Sequence, residues 1–106
     1  MPKYMMRVNY TTEGAKGLVR DGGSKRRAVA QGAAESVGGK LESFYFAFGD
    51  TDAFVIADLP DAASAASIAL TVSASGGATV QTIVLMTPEE LDSGVKKSPL
   101  YTAPGR

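Results

Sequence analysis

The chain has 106 residues, of which 44% are hydrophobic, and this size and composition are those of one ordinary globular domain. Its 11 Lys and Arg residues balance its 11 Asp and Glu residues, so no net charge attracts it to nucleic acid or to an anionic membrane, and we expect neither as a partner. The absence of Cys, His and Trp excludes disulfides, thiol and imidazole catalysis and thiolate or imidazole zinc sites, and we expect no metal and no cofactor.

The first part of the chain predicts one strand and two helices. From Lys3 to Tyr10, an apolar set of side chains alternates with a more mixed set, and a period of two is typical of a strand. Thr11 can cap a short helix that reaches about Arg20. Ser24 is expected to cap a second helix, which ends at Gly38-Gly39 because glycine readily adopts the conformation that follows a helix.

The middle of the chain predicts a hairpin, a helix and a last strand. The segments Lys40 to Phe48 and Asp52 to Leu59 are read as antiparallel strands, because only a short turn separates them. The segment from Ala62 to about Ser75 is rich in alanine and serine and predicts a helix that can approach a sheet closely. A fourth strand is expected from Ala78 to Met86.

The C-terminal part predicts one more helix and an extended tail. Residues Thr87 to Glu90 have the pattern of a capping box, with proline at the first helical position, and the helix should reach about Lys97. Two prolines in residues 98–106 cannot continue it, so we expect a domain over 1–97 and a tail over 98–106. The order β-α-β-β-α-β predicts an α+β, ferredoxin-like sandwich with a four-stranded antiparallel sheet, plus an extra C-terminal helix.

Several segments of the chain resemble the GYD domain family. They are Tyr4 to Thr11, Ser24 to Arg27, Gly38 to Leu41, Phe44 to Phe46, Gly49 to Asp52 and Leu59 to Asp61. The resemblance extends from about Lys3 to Lys97. Of the motif that names the family, Gly49 and Asp52 are present, but Thr51 stands where tyrosine is expected, so no role of that tyrosine can be carried over.

The resemblance implies a dimeric α+β barrel, in which two ferredoxin-like subunits join sheet to sheet, and it implies no established activity. The residues alone also favour a homodimer or a higher homo-oligomer. A sheet with apolar residues on both faces leaves one face uncovered by helices, and a second copy would remove that face from water. The tail of residues 98–106 is then expected to lie across the partner.

The candidate pocket residues are Arg7, Asn9, Tyr45, Asp52 and Phe54. Alternation places Arg7 and Asn9 on the face turned away from the helices, where a buried arginine needs an acidic partner or a bound anion. That partner is expected to be Asp52, Asp58 or a ligand. Asp52 is interpreted either as a general base with a raised pKa or as a turn residue that accepts backbone hydrogen bonds. Tyr45 either donates to a substrate oxygen or packs at an interface.

Two classes of function remain open from the sequence. The first is a homo-oligomeric domain that binds a small molecule in the subunit barrel or serves a structural role there. The alternative is a cofactor-independent enzyme, oxygenase-like or isomerase-like, that acts on a small hydrophobic or aromatic metabolite. The basic run Lys25-Arg26-Arg27 is interpreted as a solvated helix face. With no apolar signal-peptide core in residues 1–7, the expected location is the cytoplasm.

Overall fold

The computed structural model describes residues 1–106 and contains four strands and four helices. The elements, in chain order, are β1 (Lys3–Tyr10), α1 (Thr12–Asp21), α2 (Gly23–Ser36), β2 (Lys40–Phe46), β3 (Ala53–Asp58), α3 (Ala62–Ala74), β4 (Ala78–Leu85) and α4 (Pro88–Val95). None of the four helices has the length and apolarity that a membrane crossing requires.

The four strands form one antiparallel sheet in the order β2-β3-β1-β4. The central strand β1 pairs on one side with β3, where Arg7 lies opposite Phe54, and on the other side with β4, where Arg7 lies opposite Gln81. This α+β arrangement is consistent with a ferredoxin-like fold and confirms the predicted fold class.

The hydrophobic core lies between one face of the sheet and the helices α2 and α3. The predicted apolar set of β1 faces this side, as Tyr4 and Met6 are buried. The helices contribute small residues, Ala34 from α2 and Ala65 from α3, and small side chains allow a helix to approach a sheet closely. The core side chains are Tyr4, Met6, Ala34, Val55, Ala57, Leu59 and Ala65.

Side-chain caps begin three of the four helices. The Thr11 hydroxyl accepts a hydrogen bond from the Gly14 amide at 3.2 Å, and the Asp61 carboxylate accepts one from the Ser64 amide at 2.8 Å. The predicted capping box at Thr87 is confirmed, because its hydroxyl accepts from the Glu90 amide at 3.1 Å while the Glu90 carboxylate accepts from the Thr87 amide at 3.0 Å. These contacts satisfy amide groups that have no partner within the helix.

The predicted start of α2 was wrong by two residues. Ser24 does not cap this helix, which begins at Gly23 after Gly22, a residue with a φ of 84°. The early start is tied to the neighbouring strand, since a side chain at position 23 would press against the ring of Phe46. Glycine at this position lets the first turn of α2 lie directly on that ring.

The predicted boundaries and faces of β2 also need correction. The strand ends at Phe46 rather than Phe48, because the chain leaves the ladder and Phe48 takes a φ of 57°. A register shift between Leu41 and Ser43 breaks the simple alternation. Leu41 therefore faces the core together with Phe44, whereas strict alternation from Lys40 to Phe48 would place it on the other face with Tyr45.

The C-terminal segment projects from the body of the domain. Every residue of α4 is exposed, and so is every later residue except the half-buried Ala103. The radius of gyration is 16.7 Å, whereas a compact chain of this length has a radius of gyration of about 13 Å. Residues 86–106 are therefore an arm that is held by few contacts with its own chain.

The start of α1 makes a close backbone contact that generates a testable prediction. A side chain at Gly14 would overlap the carbonyl oxygen of Gly77, whereas one at Gly17 would have only the end of Arg20 nearby, at 3.9 Å. We expect Gly14→Ala to lower the free energy of unfolding by about 1–3 kcal/mol through overpacking. The matched control Gly17→Ala should raise it by about 0.5–1 kcal/mol through helix propensity. Urea unfolding followed by circular dichroism measures both, and equal effects would contradict this packing.

Candidate functional site

The candidate site lies on the sheet face that no helix covers, which we call the open face. The pairing of the strands sorts its side chains into rows that cross the sheet. One row contains Tyr45, Phe54, Arg7 and Gln81, and the next contains Ser43, Ile56, Met5 and Ile83. Arg7 thus lies next to Phe54, with Tyr45 one strand further along the row, and the neighbouring row is mostly apolar.

Arg7 is half-buried, and its only hydrogen-bond partner is neutral. Its Nε and Nη2 donate to the Thr51 hydroxyl at 3.1 and 2.8 Å, and the Thr51 side chain is buried. The prediction of an acidic partner within the chain was wrong, because Arg7 forms no ion pair with Asp52 or Asp58. The guanidinium keeps its charge at any physiological pH and retains free donors. A bound anion is the other kind of partner that the sequence predicted.

Asp58 does not pair with Arg7 because it lies opposite Lys3, four residues away along β1, and Lys3 binds it there. Lys3 Nζ donates to Asp58 at 2.9 Å and to Glu42 at 2.6 Å. These hydrogen bonds, first that of Glu42 and then that of Asp58, raise the pKa of Lys3. The hydrogen bond from Lys3 lowers the pKa of Asp58, although burial opposes this shift. The charges at this end of the open face are thus paired with one another.

Asn9 and Asp52 hold the other end of the ladder together. The Asn9 side-chain oxygen accepts from the Asp52 amide at 3.1 Å, and the Asp52 carboxylate accepts from the Tyr10 amide at 2.9 Å. The Asp52 amide also donates to the carbonyl of Val8. These contacts extend the pairing of β1 and β3 by one residue, so both side chains have a structural role here.

Of the five predicted residues, Arg7, Tyr45 and Phe54 share one row, while Asn9 and Asp52 lie at the end of the face. Tyr45 is 70% exposed, so its hydroxyl is open to a ligand or to a partner surface. A planar anion on Arg7 would lie beside the aromatic side chains of this row. No group of three or more acidic side chains is placed to hold a metal ion.

Two polar residues on the covered face were not among the candidates. Arg26 and Tyr10 both line a cavity between the helices and the sheet. The basic run 25–27 was interpreted as solvated, but Arg26 is four residues before Ala30 and seven before Ala33. That spacing places it on the same helix face as the apolar positions and was the signal that could have identified it.

Comparison with known proteins identifies one family. The family model of the GYD domain matches residues 4–95 of the 106-residue chain. No curated protein and no solved structure matches the chain. The match begins at the second residue of β1 and stops at the last residue of α4.

The contact between Arg7 and Thr51 predicts a modest effect of removing the charge. We expect Arg7→Met to lower the free energy of unfolding by about 1–2 kcal/mol, because it removes hydrogen bonds to a hydroxyl. If Arg7 were paired with a buried carboxylate, leaving that carboxylate without a partner would lower the free energy of unfolding by about 3–5 kcal/mol. Thr51→Val should have a similar effect, and the double variant should add little, because both changes remove one contact. Urea unfolding at a fixed protein concentration measures all three, and a loss as large as the second figure would contradict the assignment.

Proposed function

Because the chain belongs to the GYD domain family, we propose that it is a self-associating domain in which two copies join their open faces and enclose a site for a small aromatic carboxylate. The observation that carries this proposal is Arg7, a cation without an acidic partner in the middle of a largely apolar sheet face. The remaining support comes from the exposed apolar surface, from the size of the face and from the arm.

The apolar side chains of the open face favour association. Met5, Phe54 and Ile56 are only half-buried on a sheet that no helix covers on this side, and Ile83 is exposed. Removing apolar surface from water contributes about 25 cal/mol per Å². A second copy that presents the same face would bury both surfaces at once, and a closed two-fold dimer is the commonest arrangement of identical subunits.

The size of the open face favours a role for the arm of residues 86–106 in the same interface. Four strands spaced about 4.8 Å apart, with up to eight residues each, give a face whose flat outline is roughly 500 Å². A standard interface buries about 800 Å² of accessible surface per partner, so a face of this outline is at the small end for a stable interface. The arm carries exposed apolar side chains that could enlarge it. They are Met86, Leu91, Val95, Leu100 and Tyr101.

The chemistry of the row favours an aromatic carboxylate as the ligand. Covering the open face would remove water from Arg7, and a desolvated arginine requires an anion. A guanidinium binds a carboxylate through two parallel hydrogen bonds, and the planar group also stacks on aromatic rings. Phe54 and Tyr45 follow Arg7 in the same row and would contact the ring of such a ligand.

Binding is better supported than the enzymatic alternative. The residue predicted as a general base, Asp52, accepts a hydrogen bond from the Tyr10 amide and closes the end of the ladder. A base must lie within hydrogen-bond reach of the proton that it removes. Because the Asp52 carboxylate is engaged with the main chain, the row around Arg7 offers recognition of a ligand rather than proton abstraction.

Association is tested by two neighbouring residues that point to opposite faces of β4. We expect Ile83→Lys to convert the dimer into a monomer, because it places a charge against the apolar row of the partner. Val84→Lys is the matched control, since Val84 is exposed on the other face of the same strand. Light scattering at micromolar concentration measures the mass of each variant. A monomeric parent protein would refute the proposed association.

Ligand binding is tested with benzoate as the probe. We expect benzoate to bind the parent protein and Arg7→Met to weaken binding at least about 100-fold, because the charged bidentate contact is lost. Arg27→Met removes the same charge from the exposed face of α2 and should leave benzoate binding unchanged. Calorimetric titration of the three proteins measures this. If the dimer forms but Arg7→Met binds benzoate as the parent does, the association stands and the assignment of the ligand site fails.

A further inference from the structure

The cavity that Arg26 and Tyr10 line is on the covered side of the sheet, between the sheet and the helices α2 and α3. Its volume is about 90 Å³, and its lining is apolar apart from two residues that carry polar groups, Tyr10 and Arg26. A more polar cavity of about 190 Å³ shares four lining residues with it, so the two meet at the corner where α1 passes into α2. The shared residues are Tyr10, Arg26, Val72 and Ala78.

Arg26 has a buried donor atom that lacks a hydrogen-bond partner. This atom is its Nε. The carboxylate lining the same polar cavity, that of Asp21, already accepts a hydrogen bond from Arg20 at 3.2 Å. A charged donor that is buried without an acceptor is unfavourable, and arginine cannot remove the problem by losing its proton. The corner therefore presents an unused donor with a permanent positive charge.

Tyr10 adds a polar group beside this donor. Burial raises the pKa of its hydroxyl, and the charge and the hydrogen-bonding groups of Arg26 beside it oppose that shift. The hydroxyl is therefore protonated at neutral pH and can donate a hydrogen bond. Together, the two side chains place donors next to an apolar cavity, and no acidic side chain forms an ion pair with Arg26.

From this geometry we propose that the cavity binds a short-chain aliphatic carboxylate, with the alkyl chain between sheet and helices and the carboxylate on Arg26. A carboxylate would accept from Nε and satisfy the buried donor. An apolar cavity of about 150 Å³ holds a benzene ring, and a water molecule occupies about 30 Å³ of the liquid. A volume of about 90 Å³ therefore suits a chain of roughly three to five carbons and not an aromatic ring.

The site is separate from the one proposed at Arg7. The lining side chains of β1, Met6 and Val8, alternate with Arg7 and point to the opposite face of the sheet. The ligand classes differ too, because the row at Arg7 is aromatic and the walls of this cavity are mostly aliphatic. Failure at one site therefore leaves the other untouched.

The probe is sodium pentanoate, titrated into the full-length chain labelled with nitrogen-15 and followed by NMR. We expect saturable shifts of the amide signals around the cavity, those of Met6, Val55 and Ile68 among them. Pentan-1-ol should bind at least about tenfold more weakly because it lacks the charge, and decanoate should bind more weakly because its chain exceeds the cavity. Absence of saturable shifts with pentanoate, or equal binding of the alcohol, would overturn the proposal.

Three substitutions locate the site. Arg26→Met should weaken pentanoate binding at least about tenfold and leave the binding of pentan-1-ol unchanged. Arg27→Met, at the exposed neighbouring position, should bind pentanoate as the parent does. Ala30→Leu should fill the cavity and abolish binding of both probes, while the NMR spectrum shows that the fold persists. Equal weakening by Arg26→Met and Arg27→Met, or full binding by Ala30→Leu, would refute the site.

Discussion

The alternation of side chains along β1 is the constraint on which the rest of the structure depends. This strand lies inside the sheet and pairs on both sides, so its register decides what each face contains. Tyr4 and Met6 are buried in the core, while Met5 and Arg7 lie on the open face. A slip of one residue would exchange the two sets, burying a charge under the helices and exposing the centre of the core. The position of the helices and the character of both faces therefore follow from one strand.

Features with a local signal could be predicted from the sequence. The strand from Lys3 to Tyr10 and the capping box at Thr87 agree with the structure, because each depends on residues within a few positions of one another. The path of β2 could not be predicted in the same way. A bulge adds a residue to one strand without a distinctive local pattern, and the shift after Leu41 moved that side chain to the core.

The partners of charged residues were harder to predict than their faces. Alternation placed Arg7 on the correct side of the sheet, but its partner Thr51 lies 44 residues further along the chain and carries no charge that would mark it. Nearby aspartates were the natural expectation, yet Lys3 and the main chain occupy them. The helical spacing of Arg26 from Ala30 and Ala33 could have placed it on the apolar face of α2. It was interpreted as solvated because Lys25 and Arg27 flank it.

The helix α4 begins with a complete capping box but packs against none of the buried residues. An isolated helix of eight residues is marginal in water, because nucleation fixes several residues for the first hydrogen bond. Its amide hydrogens in a lone chain will therefore exchange with solvent deuterium far faster than those of β1, which pairs on both sides. Exchange in this helix will slow only when another surface binds it. Its rate of deuterium uptake therefore reports whether the arm is bound.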